Sequence, residues 1–301
     1  MTSAIRTEAL GKRFWKLEAL RNLNIEVPTG AVYALVGPNG AGKTTLIKIL
    51  VNIFQATTGQ ATVLGMPSEK IAGDAFKTIG YVSENQELPD WMRLDQFLRY
   101  VAAFYPKWDR ALEQELMKQF DLPLNRRLKN LSRGMRMKAA LASALSFHPS
   151  LIVLDEPFSG LDPFVREQLV ESLVERATES TMLISSHDLA EIENFATHVG
   201  YLDQGTMKFS EDLASLTARF REVEVVRNGS DPLSITKPAT WIQLSEAPAV
   251  VRFIETRFDN ERTPVEVRNI FGSGVSDITF TPMSLRSIFL AIAKSPGSAI
   301  S

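Results

Sequence analysis

Short apolar runs separated by polar turns fill about the first 90 residues of the chain, and this alternation is typical of strands. Two of the runs, Ile5–Leu10 and Leu20–Val27, predict antiparallel strands that lead to a third apolar run, Ala31–Val36. The spacing then lengthens to that of one helix face, with apolar residues at Leu94, Phe97, Leu98, Val101 and Phe104. The pattern therefore predicts early strands followed by a helical block at about residues 88–145.

A second alternation of strands and helices follows the helical block. The run Leu151–Leu154 is short and continuously apolar, as expected for a strand that is buried on both faces of a parallel sheet. A predicted helix from Pro163 to about Ala177 and a predicted strand at Thr181–Ser185 come next. Residues 1–210 are therefore expected to form an α/β domain with the helical block inserted in it.

The pattern changes after about residue 210, where we predict a bridging helix, Phe209–Phe220, and a small α+β domain at residues 211–301. The predicted strands are Glu222–Val226, Thr240–Leu244 and Asp277–Thr281, and the predicted helices are Glu246–Phe258 and Met283–Lys294. The last helix carries one apolar stripe, made of Leu285, Ile288, Phe289 and Ile292. Such a stripe indicates an independent core or a dimer contact, so we expect a regulatory or dimer-stabilising role. The tail from Ser295 is predicted to fray.

Composition narrows the classes of function. Of the 301 residues, 45% are apolar and 23% are charged, which is typical of a soluble globular protein. The net charge of −2 gives no reason to expect nucleic acid as a partner, and the absence of cysteine excludes disulfides and thiolate metal sites and suits a reducing cytoplasm. Because no apolar run approaches the roughly 20 residues that span a bilayer, and the N-terminus lacks an apolar signal core, we expect any membrane role to depend on a partner.

A glycine-rich loop joins the run Ala31–Val36 to the next apolar run. The loop fits the pattern G-x-x-x-x-G-K-[ST] and consists of Gly37, Pro38, Asn39, Gly40, Ala41, Gly42, Lys43, Thr44 and Thr45. Its glycines let backbone N–H groups turn toward a phosphate, and the following helix adds partial positive charge. In this motif Lys43 reaches the β- and γ-phosphates and Thr44 offers its hydroxyl to Mg²⁺. The sequence therefore predicts a nucleoside triphosphate site.

Two carboxylates end the apolar run Leu151–Leu154. Asp155 and Glu156 lie where open α/β sheets bind their ligands. Asp155 is predicted to hold Mg²⁺, and Glu156 is predicted to orient or deprotonate the attacking water. Earlier in the chain, Ser132 and Gly134 precede a good helix-forming run, and Ser132 fits either a plain N-cap or a second phosphate cradle with the Gly134 N–H.

The order of these motifs resembles that of the ATP-binding cassette (ABC) family. After the phosphate loop come Leu-Ser-x-Gly at residues 131–134, Leu-Asp-Glu-Pro at 154–157, Ser-Gly-Leu-Asp at 159–162, and His187. The resemblance extends to about residue 210. It implies a P-loop NTPase fold, with a RecA-like core, an antiparallel β subdomain and the inserted helical subdomain, that binds and hydrolyses ATP with Mg²⁺.

The resemblance also implies that two copies of the chain act together. In a head-to-tail dimer each ATP would lie between the phosphate loop of one subunit and the signature of the other, with Ser132 and Gly134 contacting the nucleotide. Asp162 would belong to the loop that crosses the interface. Ser132 and Gly134 are therefore expected to act on the ATP of the partner, and Asp162 is expected to be a nucleotide-binding residue of the crossing loop.

Three further positions take their roles from the same resemblance. His187 would contact the γ-phosphate, whereas His148 and His198 match no motif and are expected to be structural. An aromatic side chain would stack on adenine, and Phe14 lies at the matching position, with Trp15 as the alternative. The position that usually carries a Gln near Mg²⁺ holds Glu84 here, with Gln86 as the alternative; Glu also ligates Mg²⁺.

Two kinds of cassette fit these motifs. The first is the energising subunit of a bacterial exporter, which would work as a homodimer with separate permease subunits at the cytoplasmic face of the inner membrane. The helical block would then receive the permease, and Trp91 either contributes to that surface or packs inside the block. The alternative is a soluble cassette that acts on ribosomes or DNA. The single cassette and the lack of a basic tract favour the transporter subunit.

Overall fold

The computed structural model describes residues 2–228 and 236–295, and the chain divides into two compact units, Met1–Ser210 and Glu211–Ser301. Ten strands begin in the first unit, and they are β1 (Ser3–Phe14), β2 (Leu17–Pro28), β3 (Val32–Val36), β4 (Thr58–Val63), β5 (Met66–Pro67), β6 (Ile79–Ser83), β7 (Leu151–Asp155), β8 (Thr181–Ser186), β9 (His198–Asp203) and β10 (Thr206–Asp212). Its helices are α1 (Lys43–Leu50), α2 (Leu94–Ala102), α3 (Arg110–Gln119), α4 (Arg133–Leu145) and α5 (Pro163–Val174).

The second unit follows with its own strands and helices. They are, in chain order, α6 (Leu213–Arg219), β11 (Arg221–Arg227), β12 (Trp241–Ala247), β13 (Val250–Glu255), α7 (Arg262–Phe271), β14 (Val275–Pro282) and α8 (Leu285–Ala293). The tail that was predicted to fray lies outside the described residues from position 296 onward.

A six-stranded sheet forms the centre of the first unit, in the order β10-β9-β3-β8-β7-β6. Strands β3, β6, β7, β8 and β9 pair in parallel, and every residue of β3, β7 and β8 is buried. Strands can be buried in this way because helices cover both faces of a parallel sheet. The predicted α/β class is confirmed. The carboxyl ends of the parallel strands meet at one edge, so the loops that follow β3, β7 and β8 are brought together.

A smaller antiparallel sheet, in the order β2-β1-β4-β5, shares one core with helix α1. Leu10, Leu20 and Leu23 of the small sheet join Leu46 of α1 and Leu35 of β3 in that core, and all five are fully buried. Each such side chain contributes about 1.5–3 kcal/mol by its removal from water. This shared core holds the β1–β2 hairpin beside the loop that follows β3.

The segment that was predicted to be helical contains α2, α3 and α4. The Asp109 carboxylate caps α3 by accepting hydrogen bonds from the N–H groups of Ala111 and Leu112, and the Ser132 hydroxyl caps α4. Such side-chain caps satisfy N–H groups that have no partner inside the helix. Leu94 and Leu98 of α2 are buried, whereas Phe104 lies just past the helix and is exposed.

The second unit is a four-stranded antiparallel sheet in the order β12-β13-β11-β14. Its core contains Val223, Val225, Trp241, Val251, Phe253 and Val267. The rings of Trp241 and Phe253 stack with their centroids 3.7 Å apart. The apolar stripe predicted on the last helix lies on α8, where all four of its residues are buried.

Two predicted elements of the second unit differ from the structure, and a third element was missed. The predicted helix Glu246–Phe258 is wrong, because this stretch completes β12, turns back, and forms β13, which pairs with both β11 and β12. Its β-branched and aromatic residues are good strand formers, and two neighbouring strands satisfy its backbone. Helix α7 was not predicted. The predicted bridging helix is helical only over α6, because residues 206–212 belong to β10.

Among the residues that the structure describes, every helix is too short or too polar to cross a bilayer.

Candidate functional site

A cleft of about 550 Å³ opens at the carboxyl edge of the parallel strands. It is lined by loop residues 39–45, by the β1–β2 hairpin with Phe14 and Leu17, and by Glu84, Glu156, Gln204 and Gly205. Pockets of roughly 300–1,000 Å³ hold ligands of small-molecule size. The cleft therefore has the dimensions of a nucleotide site.

The glycine-rich loop has a backbone that other residues would not adopt without strain. Gly40 and Gly42 have φ angles of 80° and 109°, in the left-handed region. A Cβ atom on Gly42 would lie 2.7 Å from the Ala19 carbonyl oxygen, and one on Gly37 would lie 2.0 Å from that of Leu202. Gly42 is also the N-cap of α1 and offers no side-chain acceptor, so the first N–H groups of α1 remain for a ligand at the positive end of the helix.

Lys43 is buried at the first position of α1 and faces the loop. Its Nζ donates hydrogen bonds to the carbonyl oxygens of Gly37, at 2.6 Å, and Pro38, at 3.3 Å. The same Nζ lies 3.1 Å from Glu156 Oε1. This contact is an ion pair without hydrogen-bond geometry, since Glu156 Oε1 is a buried oxygen that accepts no hydrogen bond from the described residues. The cleft thus holds a desolvated ammonium and a carboxylate oxygen that is available to a proton donor.

Glu156 itself has an unusual backbone conformation. Its φ angle of 51° places a non-glycine residue in the left-handed region, which costs about 1–3 kcal/mol. The Glu156 N–H donates to Ser185 Oγ at 2.9 Å, and this bond helps to hold the residue in place. This backbone conformation places the Glu156 carboxylate in the cleft, just after the end of β7.

Asp155 and Thr44 form a pair of oxygen ligands beside Glu156. The Thr44 hydroxyl donates to Asp155 Oδ1 at 3.1 Å, and the Ser185 hydroxyl donates to the same oxygen at 2.7 Å. Burial raises the pKa of the Asp155 carboxyl, although both hydroxyl donors oppose this shift. A hydroxyl and a buried carboxylate are the hard donors that Mg²⁺ prefers, and a cation would relieve the cost of burying the charge. These residues fit a magnesium ion.

His187 lies on the other side of Glu156. Its Nδ1 is 2.7 Å from Glu156 Oε2, and this hydrogen bond raises the pKa of the imidazole. Lys43, Glu156 and His187 come from the ends of three different strands or their loops, and the fold brings them into direct contact. The sequence placed each of the three residues at the nucleotide, but it did not predict that they contact one another.

Glu84 lines the cleft and is bonded to two other loops. Its Oε1 accepts hydrogen bonds from Arg133 Nη2 at 3.0 Å and from Ser159 Oγ at 2.9 Å. The alternative residue, Gln86, turns back toward β6, where its Oε1 accepts from the Ser83 N–H. Of the two residues, Glu84 is therefore the one in contact with the cleft.

Phe14 also lines the cleft, at the end of β1. Its ring meets that of Phe54 edge to face with the centroids 5.4 Å apart, and Lys12 Nζ lies 4.8 Å from its centroid. The alternative, Trp15, is at the hairpin turn with a φ angle of 51° and is 97% exposed. Phe14 is thus held in a fixed position at the cleft wall, whereas Trp15 projects into solvent.

Ser132, Gly134 and Asp162 do not line the cleft of their own chain. Ser132 Oγ accepts a hydrogen bond from the Met135 N–H, and Asp162 Oδ1 accepts one from the Val165 N–H, so each residue caps a helix. A Cβ atom on Gly134 would lie 3.1 Å from Val165 Cγ1, because α4 and α5 approach closely there. Ser132 and Asp162 are both exposed.

Two residues at the site were not predicted from the sequence. Ser185 bonds both Asp155 Oδ1 and the Glu156 N–H, and Arg133 bonds Glu84. Ser185 could have been suspected from the sequence, since a hydroxyl near the end of a buried strand needs a hydrogen-bond partner. Nothing in the sequence indicated the role of Arg133, because its partner Glu84 lies 49 positions away in the chain.

Comparison with known proteins points to one family. The family model for the ABC transporter matches residues 20–159. An uncharacterized ABC transporter ATP-binding protein of Nostoc is 33% identical over 229 residues, which are 72% of this chain and 67% of that protein. The daunorubicin resistance ATP-binding protein DrrA2 of Streptomyces coeruleorubidus is 34% identical over 209 residues, 67% of this chain and 65% of that protein. The chain spans about two thirds of the length of the curated relatives that it matches.

A solved structure has a similar fold. The ATP-binding subunit of an ABC transporter superposes with a TM-score of 0.66 at 26% identity, over 72% of this chain and 92% of that one.

Proposed function

This chain belongs to the family of ABC transporter ATP-binding proteins, and from that membership we propose that it binds and hydrolyses ATP and thereby energises a transporter. The observation that carries the proposal is that Lys43 and His187 both contact Glu156, a residue that lines the cleft. The Glu156 carboxylate lies 3.1 Å from Lys43 Nζ on one side and 2.7 Å from His187 Nδ1 on the other.

The reaction follows from what these groups can do. The loop N–H groups and Lys43 bind the phosphates, and Lys43 exchanges its bonds to Gly37 and Pro38 for bonds to phosphate oxygens. Glu156 Oε1 accepts the proton of the water that attacks the γ-phosphorus, while the bond to the β–γ bridging oxygen breaks and ADP leaves. Thr44 and Asp155 would hold Mg²⁺, which supplies positive charge at the phosphate oxygens. His187 orients Glu156 and donates toward the γ-phosphate.

The residues outside the cleft belong, in this proposal, to the active site of a second copy. Ser132 and Asp162 are exposed, and Gly134 lies beside them at the start of α4. A head-to-tail dimer gives each signature a nucleotide to contact, and such an arrangement closes on itself with two equal sites. The exposed N-terminus of α4 then adds N–H groups at the γ-phosphate of the partner.

We place the permease on the helical subdomain. Trp91 is 71% exposed there, and a groove of about 370 Å³ lies between the segment 83–87 and the first turns of α4. Asp90, next to Trp91 in the chain, bonds Arg136 of this groove, and an exposed tryptophan is the kind of anchor that protein interfaces use. The chain would work as a peripheral subunit at the cytoplasmic face of the inner membrane, and the name of the relative DrrA2 supports an exporter. The unit Glu211–Ser301 would regulate or stabilise the dimer.

Phosphate release by the purified chain with ATP and Mg²⁺ tests the proposal, with Glu156→Gln as the decisive variant. The amide keeps the volume of the side chain but does not take the proton from water, so turnover should fall by about 10²- to 10⁴-fold. ATP binding should remain, and the variant should collect as an ATP-bound dimer on size exclusion. Hydrolysis by Glu156→Gln at near the parent rate would exclude Glu156 as the base.

A further inference from the structure

A second buried carboxylate, Glu191, lies four residues after His187 and outside the cleft. Its side chain is only 3% exposed. Burial raises the pKa of this carboxyl, and the Ser186 hydroxyl and Arg166 oppose the shift. A carboxylate with so little solvent needs specific partners, since burying an unpaired charge is costly. Each carboxylate oxygen of Glu191 has such a partner.

The first partner, Ser186, lies next to His187 in the chain. Ser186 Oγ donates to Glu191 Oε2 at 2.6 Å, and the same Oγ accepts a hydrogen bond from the Asp188 N–H at 2.9 Å. The Ser186 carbonyl oxygen accepts the Gly37 N–H of the phosphate loop at 3.3 Å. Hydrogen bonds thus hold the residues on both sides of His187, and Glu191 is the charged acceptor of this group.

The second partner, Arg166, comes from the start of α5. Its Nη2 lies 3.3 Å from Glu191 Oε1. Helix α5 follows the loop 159–162, whose last residue, Asp162, caps the helix. The pair Arg166–Glu191 therefore joins the helix that carries this loop to the segment that carries His187.

The contact of His187 with Glu156 depends on this segment. The imidazole approaches the base through one short bond, from Nδ1 to Glu156 Oε2, and its backbone is anchored through Ser186 and Asp188. A shift of about 1 Å in a group at the reacting centre can reduce a rate by about 100-fold. A fixed Ser186 is thus needed for a fixed His187.

We propose that Glu191, held by Arg166, is a positioning residue that sets the place of the His187 imidazole against Glu156. The catalytic consequence of this role rests on the proposed ATPase function, but the geometric role does not, and the two can be tested apart.

The geometric role can be tested by NMR of the histidine rings in the full-length, nucleotide-free protein. The chain has three histidines, so His148 and His198 serve as internal controls. In Glu191→Ala the ring signals of His187 should move, and its pKa should fall toward the ordinary value, because the bond to Glu156 is weakened and because the negative charge of Glu191, which also raises this pKa, is removed. The signals of His148 and His198 should stay in place. Glu193→Ala removes a nearby carboxylate that does not contact Ser186, and it should leave all three rings unchanged.

Conservative variants separate positioning from folding. Glu191→Gln keeps an acceptor for Ser186 and loses the charge, so it should move the His187 ring signals less than Glu191→Ala does. Arg166→Gln should move the His187 ring signals in the same direction as Glu191→Ala. Arg166→Lys keeps the positive charge, so its spectrum should be close to that of the parent. If Glu191→Ala fails to fold, these three variants carry the test. His187 signals that stay at parent positions in folded variants, even with a lower unfolding temperature, would overturn the proposal.

Kinetics test the catalytic consequence. In Glu191→Ala kcat should fall by about 10- to 100-fold, as for other groups that orient a reacting residue, while ATP affinity stays within about two-fold when measured with Glu156→Gln also present. An unchanged kcat beside a displaced His187 would overturn the catalytic half of the proposal. Absence of ATP hydrolysis in the parent protein would instead count against the proposed function, and the NMR result would stand by itself.

Discussion

At the scale of single residues, the charges of the cleft neutralise one another. Lys43 Nζ has carbonyl partners and lies 3.1 Å from Glu156, and Glu156 in turn pairs with His187. A hydrogen bond from Lys43 to a phosphate oxygen joins two charged groups and is therefore stronger than its bonds to carbonyl oxygens. Nucleotide binding thus replaces contacts within the chain by contacts with the ligand. The site is thus folded in advance and needs little rearrangement to accept a nucleotide.

The role of Lys43 in binding can be measured directly. Lys43→Ala should weaken ADP binding by about 10- to 100-fold, because one charge-assisted hydrogen bond to phosphate is lost. Calorimetry with ADP avoids turnover. Lys48→Ala on the same helix is the matched control, since Lys48 lies over the Phe54 ring and outside the cleft lining. Equal ADP affinity of Lys43→Ala and the parent would remove Lys43 from the phosphate site.

The pair His187–Glu156 predicts how stability depends on pH. The pKa of His187 is raised in the folded protein, mainly by its hydrogen bond to Glu156. The stabilisation is therefore complete below the unfolded-state pKa of about 6.5 and is lost as the pH rises through the folded-state value. Urea unfolding should show that His187→Ala loses more stability near pH 6 than near pH 9. With Glu156→Gln as background this difference should largely vanish; a difference of equal size in both backgrounds would contradict the assignment.

At the scale of elements, the loop between β3 and α1 depends on glycine at one position above all. Gly42 combines a left-handed φ angle with a close approach to the Ala19 carbonyl and starts α1 without a side-chain cap. The β1–β2 hairpin and the phosphate loop therefore fix each other. This explains why a sheet with no catalytic carboxylate of its own still forms one wall of the site.

Gly42→Ala tests this packing. The variant should lose about 1–3 kcal/mol of unfolding free energy and most of its nucleotide affinity, since strain and crowding both act at the loop. Gly30→Ala is the matched control, because Gly30 also has a positive φ, of 79°, but has open space around its Cβ position. It should lose stability through strain alone and keep its ADP affinity. Parent-like stability and affinity in Gly42→Ala would show that the loop tolerates a side chain there.

Elements in the first unit were easier to predict than those in the second. Strand β7 is apolar up to its last residue, Asp155, and Glu156 follows directly, so pattern and motif agree. In β13, by contrast, Val250, Phe253 and Ile254 fit the face of a helix as well as a strand. Pairing with β11 and β12 decided the outcome, and such long-range partners are invisible in a local pattern.

At the scale of the whole molecule, the arrangement of the motifs requires more than one chain in the proposed mechanism. The cleft contains the phosphate loop and Glu156, whereas Ser132, Gly134 and Asp162 lie outside it. A site that is completed by a second copy makes hydrolysis depend on dimerisation. Such dependence couples the chemical step to a large motion that a membrane partner can use.

Mixing two inactive variants tests the shared site. Lys43→Ala damages the phosphate loop and Gly134→Asp damages the signature, and each homodimer should be inactive. In a head-to-tail heterodimer both lesions fall in one composite site and the other site is intact, so mixing should restore part of the ATPase activity. A mixture as inactive as either homodimer, with heterodimers verified by mass spectrometry, would argue that each chain uses its own signature.

Local spacing and residue chemistry were enough to predict the α/β class, the phosphate loop, the acidic pair Asp155 and Glu156 at the end of β7, and His187. The folded chain was needed to see which oxygen meets which donor: that Lys43 and His187 flank Glu156, that Ser185 supports Asp155, and that Glu191 is buried against Ser186 and Arg166. These contacts join residues from separate strands and helices. The packing of the sheet sets their distances, and no local pattern in the chain encodes them.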